Sequence, residues 1–341
     1  MNLIIEPSVA EKDIQNMINN ILNMICESNI SLKIDCIILG GGFGRGEGSV
    51  KKINNTYETT NDYDFFVITK ENNFQYQIDD LVCNIEKKLD LKFFGIDVLV
   101  YDDLIKLLNK KTTSQSFYDF LYGSQILWEN KKNIFSYKEL FDKYKNERFI
   151  IKKQSSFDVL RTRLWCLLAM IRVQQNSVSY DCDFKYNYEF FQFQIIKAAT
   201  AIVDSVLIIE NKYNTCRFKE KLEIFRNSDF YKTGNYKLIY DLIYKKIHNI
   251  KITEEEITIS DYKEVVNSYI SCCEFIISKN KIFYFYYLII ECIYIYLYKF
   301  RKRTFCKCSF EKYKYLKYIN MKYRDEKLVK KLNKFINTIR Y

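Results

Sequence analysis

The chain has nine glycines in 341 residues, and six of them (Gly40, Gly41, Gly42, Gly44, Gly46 and Gly48) fall within nine consecutive positions. Its only proline is Pro7. A sequence that otherwise avoids flexible backbone has gathered it in one place. Such a cluster marks a turn that needs unusual dihedrals, or a stretch of backbone that a ligand must approach closely.

The flanks say what the cluster connects. Ser8 with Glu11 has the spacing of a capping box, and Ile14, Met17, Ile18, Ile21, Leu22 and Ile25 continue at helical spacing, which predicts a helix over 8–28. Residues 32–39 (LKIDCIIL) read as a buried strand that runs into the glycines. A second strand is expected over 64–69, a helix over 76–91 and a third strand over 93–101. The order helix, strand, glycine turn, strand, helix, strand predicts a mixed sheet with flanking helices over 1–150. The stretch Lys51 to Thr60 reads as a loop.

Beyond about residue 150 strand-like alternation fades and helical patterns dominate. Helices are expected over 155–176, 187–212, 216–227, 235–248, 254–279, 281–300, 309–319 and 324–340, with Thr253 and Glu256 as a further capping box. The expectation is therefore an α+β chain, its second domain, 151–341, all helical. Residues 299–341 carry 15 Lys and Arg against three acids, so the formal net charge of +11 rests in this basic end.

Composition closes several alternatives. With 48% hydrophobic and 28% charged residues the chain reads as folded rather than disordered. Its 11 cysteines are scattered, Cys306-x-Cys308 and Cys272–Cys273 lack zinc-site spacing, and His248 is the single histidine, so buried reduced thiols are expected. Residues 1–10 do not resemble a secretory signal, which favours a cytoplasmic protein. Phe283 to Tyr298 is apolar, but its 16 residues fall short of a usual span and enclose Glu291, so no membrane partner is expected.

Three elements carry chemistry. The turn Gly41-Gly42-Phe43-Gly44-Arg45-Gly46-Glu47-Gly48 follows a strand, and exposed backbone N–H groups in such turns suit phosphate oxygens. Asn61-Asp62-Tyr63-Asp64 opens the next strand, where carboxylates at i and i+2 share a face and can hold hard divalent cations. Asp97 lies in the apolar run Ile96-Asp97-Val98-Leu99-Val100, where a buried acid is costly unless paired or metal-bound. Each element alone has a plainer explanation: a Rossmann-like loop (although G-x-G-x-x-G is not cleanly met), a turn capped by Asp62, a satisfied core acid at Asp97. Together, in this order, they point to metal-assisted phosphate chemistry.

The run GGFGRGEG, then NDYDFFVI, then IDVLV resembles the DNA polymerase beta nucleotidyltransferase superfamily, with a turn closest to that of PII uridylyltransferases. The resemblance covers residues 30–105. It implies a nucleotidyltransferase fold and transfer of a nucleoside monophosphate from an NTP, ATP among them, to an acceptor hydroxyl with release of pyrophosphate. It assigns Asp62, Asp64 and Asp97 as catalytic and metal-binding residues for two Mg2+ ions, with Mn2+ as an alternative. Gly41, Gly42 and Gly44 would hold the triphosphate and Arg45 would steady it. Glu47 would salt-bridge Arg45. Lys197, in a helix similar to those of the superfamily's helical domains, would reach a phosphate, although a solvated lysine explains it as well.

The sequence departs from the pattern in three ways. Nineteen residues separate Gly42 from Asp62, Gly42 stands where a serine hydroxyl would contact phosphate, and the single histidine excludes the phosphohydrolase domain that accompanies PII uridylyltransferases. The acceptor is then a small molecule or a protein side chain. RNA, bound through the basic end and its tyrosines, is the alternative, and a non-catalytic, antitoxin-like partner protein is the third reading.

Overall fold

The computed structural model describes residues 3–5, 9–53, 56–71, 74–91, 94–132, 135–147, 149–168, 171–174, 177–180, 188–250 and 257–279. The basic end 299–341, the apolar run 283–298, Cys306 and Cys308, the Thr253–Glu256 pair, Ser8 of the first capping box and the three helices expected after 280 lie outside the described residues. The protein is a mixed α+β chain built on a four-stranded mixed sheet. It divides into two units: residues 1–152 with 214–220 and 245–251, and the remainder.

In the first unit the order is α1 (Val9–Cys26), β1 (Ile34–Leu39), α2 (Gly41–Gly44), β2 (Val50–Ile53), β3 (Thr56–Thr59), β4 (Tyr63–Thr69), α3 (Gln75–Leu89), β5 (Phe94–Val100), α4 (Tyr101–Leu108), β6 (Thr112–Thr113), α5 (Gln115–Gly123), β7 (Gln125–Glu129), α6 (Tyr137–Lys145) and β8 (Ile150–Ile151). The sheet order is β5-β4-β1-β7. β4 and β5 run parallel, and β1 is antiparallel to both β4 and β7. Because β1 is central it is buried along its whole length, which is why it reads as one apolar run. Its one acid, Asp35, is buried and hydrogen-bonds Tyr137, whose hydroxyl is pushed far above its usual range by burial and then by the Asp35 charge.

One face of the sheet meets α1 and α3. Ile14, Ile18, Ile21 and Ile25 of α1, and Ile78 and Ile85 of α3, join Tyr63, Phe65, Val67, Phe94 and Ile96 in a single core. The helical spacing of the isoleucines and the alternation of the strand residues create this layer. Truncating one such side chain, Ile18→Ala, removes about 2–5 kcal/mol. Ser136 accepts the N–H of Glu139 and so caps α6, and Asp90 ends α3 in the left-handed region at φ 51°.

The stretch expected as a loop after the glycines is instead the hairpin β2–β3, in register from Val50↔Thr59 to Ile53↔Thr56. Val50, Ile53, Thr56 and Thr59 are all β-branched and favour extended backbone. Its base is tied down by Asn249, whose Oδ1 accepts the Val50 N–H at 2.8 Å, and by the Ser49 hydroxyl, which donates to the Lys246 carbonyl at 3.2 Å. The third expected strand ends at Val100, where Tyr101 opens α4.

The second unit contains α7 (Gln154–Leu168), β9 (Ile171–Gln174), β10 (Ser177–Tyr180) and α8 (Tyr188–Ile209), with most of α9 (Phe218–Arg226) and α10 (Lys237–Ile247), and α11 (Ile259–Lys279). Among the described residues the all-helical expectation fails at one place. Where a helix is expected over 155–176, α7 covers Gln154–Leu168, and Ile171–Gln174 pairs antiparallel with Ser177–Tyr180, where β-branched residues favour extended backbone. Helix α8 forms the centre of this unit. Phe191–Ile209 is long and apolar enough to cross a membrane, and 72% of it is buried inside the protein. Tyr262 of α11 donates to the Leu167 carbonyl at 2.7 Å, Tyr269 donates to the Leu160 carbonyl, and Ser205 of α8 donates to the Ser156 carbonyl at 2.8 Å. These buried hydroxyls satisfy themselves on helix backbone.

Candidate functional site

The glycine turn leaves β1 and folds at once into α2. Gly41 has φ +60° and Gly46 φ +75°, so two positions need the left-handed region that glycine enters without cost. Gly41 needs glycine for a second reason. A Cβ there would overlap the Asp64 carboxylate. Asp64 therefore lies directly on the backbone of the turn, and the Gly40 N–H donates to the Asp64 carbonyl at 2.8 Å. Gly40 itself lies under the Phe66 ring, and a Cβ on Gly44 would meet the carbonyls of Leu39 and Gly123 at 2.5 and 2.7 Å. The glycines are thus spent on close packing as well as on dihedral freedom.

The turn is held from three sides. Gln125 of β7 donates through Nε2 to the Gly44 carbonyl at 2.8 Å. The Gly48 N–H donates to the Leu3 carbonyl at 2.9 Å. Glu47, 5% exposed, accepts the backbone N–H groups of Phe218 and Lys219 at 2.8 and 2.9 Å, capping the start of α9, and its carboxylate stands 3.6 Å from Arg45 Nε. Arg45 also lies over the Phe218 ring at 5.6 Å. Arg45 and Glu47 thus form the expected pair, and together they hold the turn to the segment 214–220. A buried carboxylate at a helix N-terminus with charge-assisted bonds contributes about 1–3 kcal/mol.

The carboxylates follow strand alternation. Tyr63 points into the core and stacks on Phe43 at 5.0 Å, and burial pushes its hydroxyl up to about 12. Asp64 and Phe66 therefore face the opposite side, and Asp62 lies just before the strand begins. In the parallel pair β4–β5, Asp64 lies opposite Gly95 and Phe66 opposite Asp97. In-register partners share a face, so Asp97 leaves the sheet on the same side as Asp64. Asp97 is exposed. The expectation that this acid carries a burial cost is corrected here. β5 is an edge strand whose Phe94 and Ile96 meet the core, while Gly95 and Asp97 do not.

Hard carboxylate oxygens on one face, beside backbone that admits close approach, are the donor chemistry that Mg2+ or Mn2+ takes. Among the described residues, no three His, Cys, Asp or Glu side chains are gathered closely enough to hold a metal ion. The side chains of Asp62, Asp64 and Asp97 do not converge on one point. Lys197, on α8 of the second unit, holds its ammonium 3.9 Å over the Phe193 ring.

Sequence reasoning missed Gln125 and the Phe218–Lys219 amides as supports of the turn, and Asn249 as the anchor of the hairpin after it. They lie 77 to 201 residues from Gly48, and no local motif announces them. No family model, curated protein or solved structure matches the chain.

Proposed function

We propose that the chain is a metal-dependent nucleotidyltransferase, moving a nucleoside monophosphate from an NTP to a hydroxyl of a small molecule or protein and releasing pyrophosphate. The reading brings with it a nucleotidyltransferase fold for the first unit. The observation that carries it is the juxtaposition of the Asp64 carboxylate with the Gly41 backbone, with Asp97 on the same face of the adjacent parallel strand.

Asp62, Asp64 and Asp97 would hold the divalent cations, which when bound supply Lewis-acid stabilisation of the attacking and leaving oxygens. Gly41 and Gly42, at the start of α2, would offer backbone N–H groups to the triphosphate. Gly44 keeps the turn tight against β1, and the Arg45–Glu47 pair keeps it in register. The acceptor oxygen would attack the α-phosphorus, the bond from that phosphorus to the pyrophosphate oxygen would break, and Asp97 would take the hydroxyl proton.

The test is pyrophosphate release with each NTP, Mg2+ and a cell extract as the source of acceptor. Wild type is expected to release pyrophosphate with one NTP, and Asp62→Ala/Asp64→Ala to lose about 1,000-fold or more, since several kcal/mol of charge stabilisation disappear. Release that is equal in the two proteins would defeat the reading, and absence of NTP binding under any metal condition would favour a non-catalytic partner role. The charge of residues 299–341 favours RNA as the alternative acceptor. Loss of RNA binding on truncation after residue 298, with NTP binding kept, is the result that reading requires.

A further inference from the structure

We infer that Asn61 is a ligand-facing residue of this site, its carboxamide nitrogen set to donate a hydrogen bond to an anionic oxygen held against the glycine turn. The inference rests on the reading of that turn and its carboxylates as a nucleotide site.

Asn61 is pinned by its other polar atoms. Its Oδ1 accepts the Ser49 N–H at 2.8 Å, its own N–H donates to Thr59 Oγ1 at 3.0 Å, and its carbonyl accepts the Thr59 hydroxyl at 2.7 Å. Because the Ser49 N–H can only donate, the oxygen end of the carboxamide must face it, which fixes which way the amide lies. The nitrogen end then faces Gly42, and Nδ2 stands 2.6 Å from the place a Cβ on residue 42 would take. Gly42 is not among the glycines with positive φ, so its backbone accepts any residue, and what keeps it glycine is the space Asn61 fills. Among the described residues, Nδ2 donates no hydrogen bond.

Residues 42 and 61 are therefore reciprocal. A small residue at one allows a reaching amide at the other, and the amide supplies a donor where a hydroxyl on residue 42 would otherwise stand. A neutral amide also suits this spot chemically. A lysine beside Asp62 and Asp64 would be drawn into ion pairs with them, whereas an amide keeps its donor for an incoming oxygen.

The experiment titrates the full chain by calorimetry with inorganic tripolyphosphate and, separately, with ATP, GTP, CTP and UTP, each with Mg2+, and records a melting curve for every variant. Asn61→Asp keeps the acceptor for the Ser49 N–H and removes the donor. It is expected to bind tripolyphosphate about tenfold more weakly or worse, with an unchanged melting curve. Gly42→Ser alone must displace the Asn61 amide and is expected to bind about as weakly as Asn61→Asp. In Gly42→Ser/Asn61→Ala the new hydroxyl enters vacated space, and affinity is expected to return to within about threefold of wild type. A purely structural Asn61 would give no such recovery, because the double variant still leaves the Ser49 N–H without its acceptor. Asn61→Asp binding as tightly as wild type, or a double variant no better than Gly42→Ser, would overturn the inference while the nucleotide site stands. A wild type that binds none of the five probes would remove the site and the inference together.

Discussion

Two groups of acids in this protein have been treated in opposite ways. Asp35 in the first unit and Asp204 in the second are buried and bonded: Asp35 to Tyr137, and Asp204 to Lys221 at 2.9 Å, with Lys221 0% exposed and also bonded to the Tyr213 hydroxyl. Asp64 and Asp97 instead share one face of the β4–β5 pair, with Asp62 just before it; all three are half-buried or exposed, and the Asp64 carboxylate lies against the Gly41 backbone. The first group satisfies its charge inside the fold. The second lies nearer solvent, with Asp64 packed on a turn whose Gly41 position leaves no room for a Cβ. Stability accounts for the first arrangement, and the cation and phosphate of the proposed function would account for the second.

The largest expected effect breaks the paired class. Lys221→Met leaves the Asp204 carboxylate buried without its cation and is predicted to cost about 3–5 kcal/mol in urea unfolding, while Lys221→Met/Asp204→Leu recovers most of the loss. A single variant as stable as wild type would mean that the pair is solvated and the contrast false. Gly41→Ala probes the open class. A methyl at φ +60°, overlapping the Asp64 carboxylate, is predicted to cost about 1–3 kcal/mol and to lower nucleotidyl transfer by far more than that loss of stability explains. Full activity in a fully folded Gly41→Ala protein would detach the turn from the site.

Some of this was legible in the sequence, and the reasons are particular. The helix over α1 and the strands β1 and β4 follow from isoleucine spacing and apolar runs, which are local signals. The same-face placement of Asp64 and Asp97 was only half legible. Alternation gives the face along one strand, but the parallel register that sets Phe66 opposite Asp97 is a tertiary fact. The exposure of Asp97 was misread because an apolar strand was assumed to be covered on both faces, whereas an edge strand hides only one. The hairpin β2–β3 was missed because charged and polar residues between β-branched ones look like a loop until a partner strand is known. The capping of α9 by Glu47 joins residues 171 and 172 positions apart, a separation at which sequence pattern carries no information.

A smaller effect sharpens the inward–outward alternation of the Asp-Tyr-Asp run. Tyr63 has its hydroxyl raised by burial to about 12, so the stability it contributes is complete below pH 10 and is lost as pH rises towards 12. At pH 11 wild type is predicted to have lost about 1.4 kcal/mol that Tyr63→Phe retains. Equal alkaline unfolding curves would place Tyr63 in solvent and undo the alternation argued from it.

The most direct measurement is Mn2+ uptake by the full chain, followed by electron paramagnetic resonance as each NTP is added, in wild type and Asp97→Asn. Convergence of the open-face carboxylates on one cation predicts NTP-dependent uptake in wild type, at least tenfold weaker uptake in Asp97→Asn, and identical melting curves. Uptake that is the same in both proteins would contradict a shared metal site on β4 and β5.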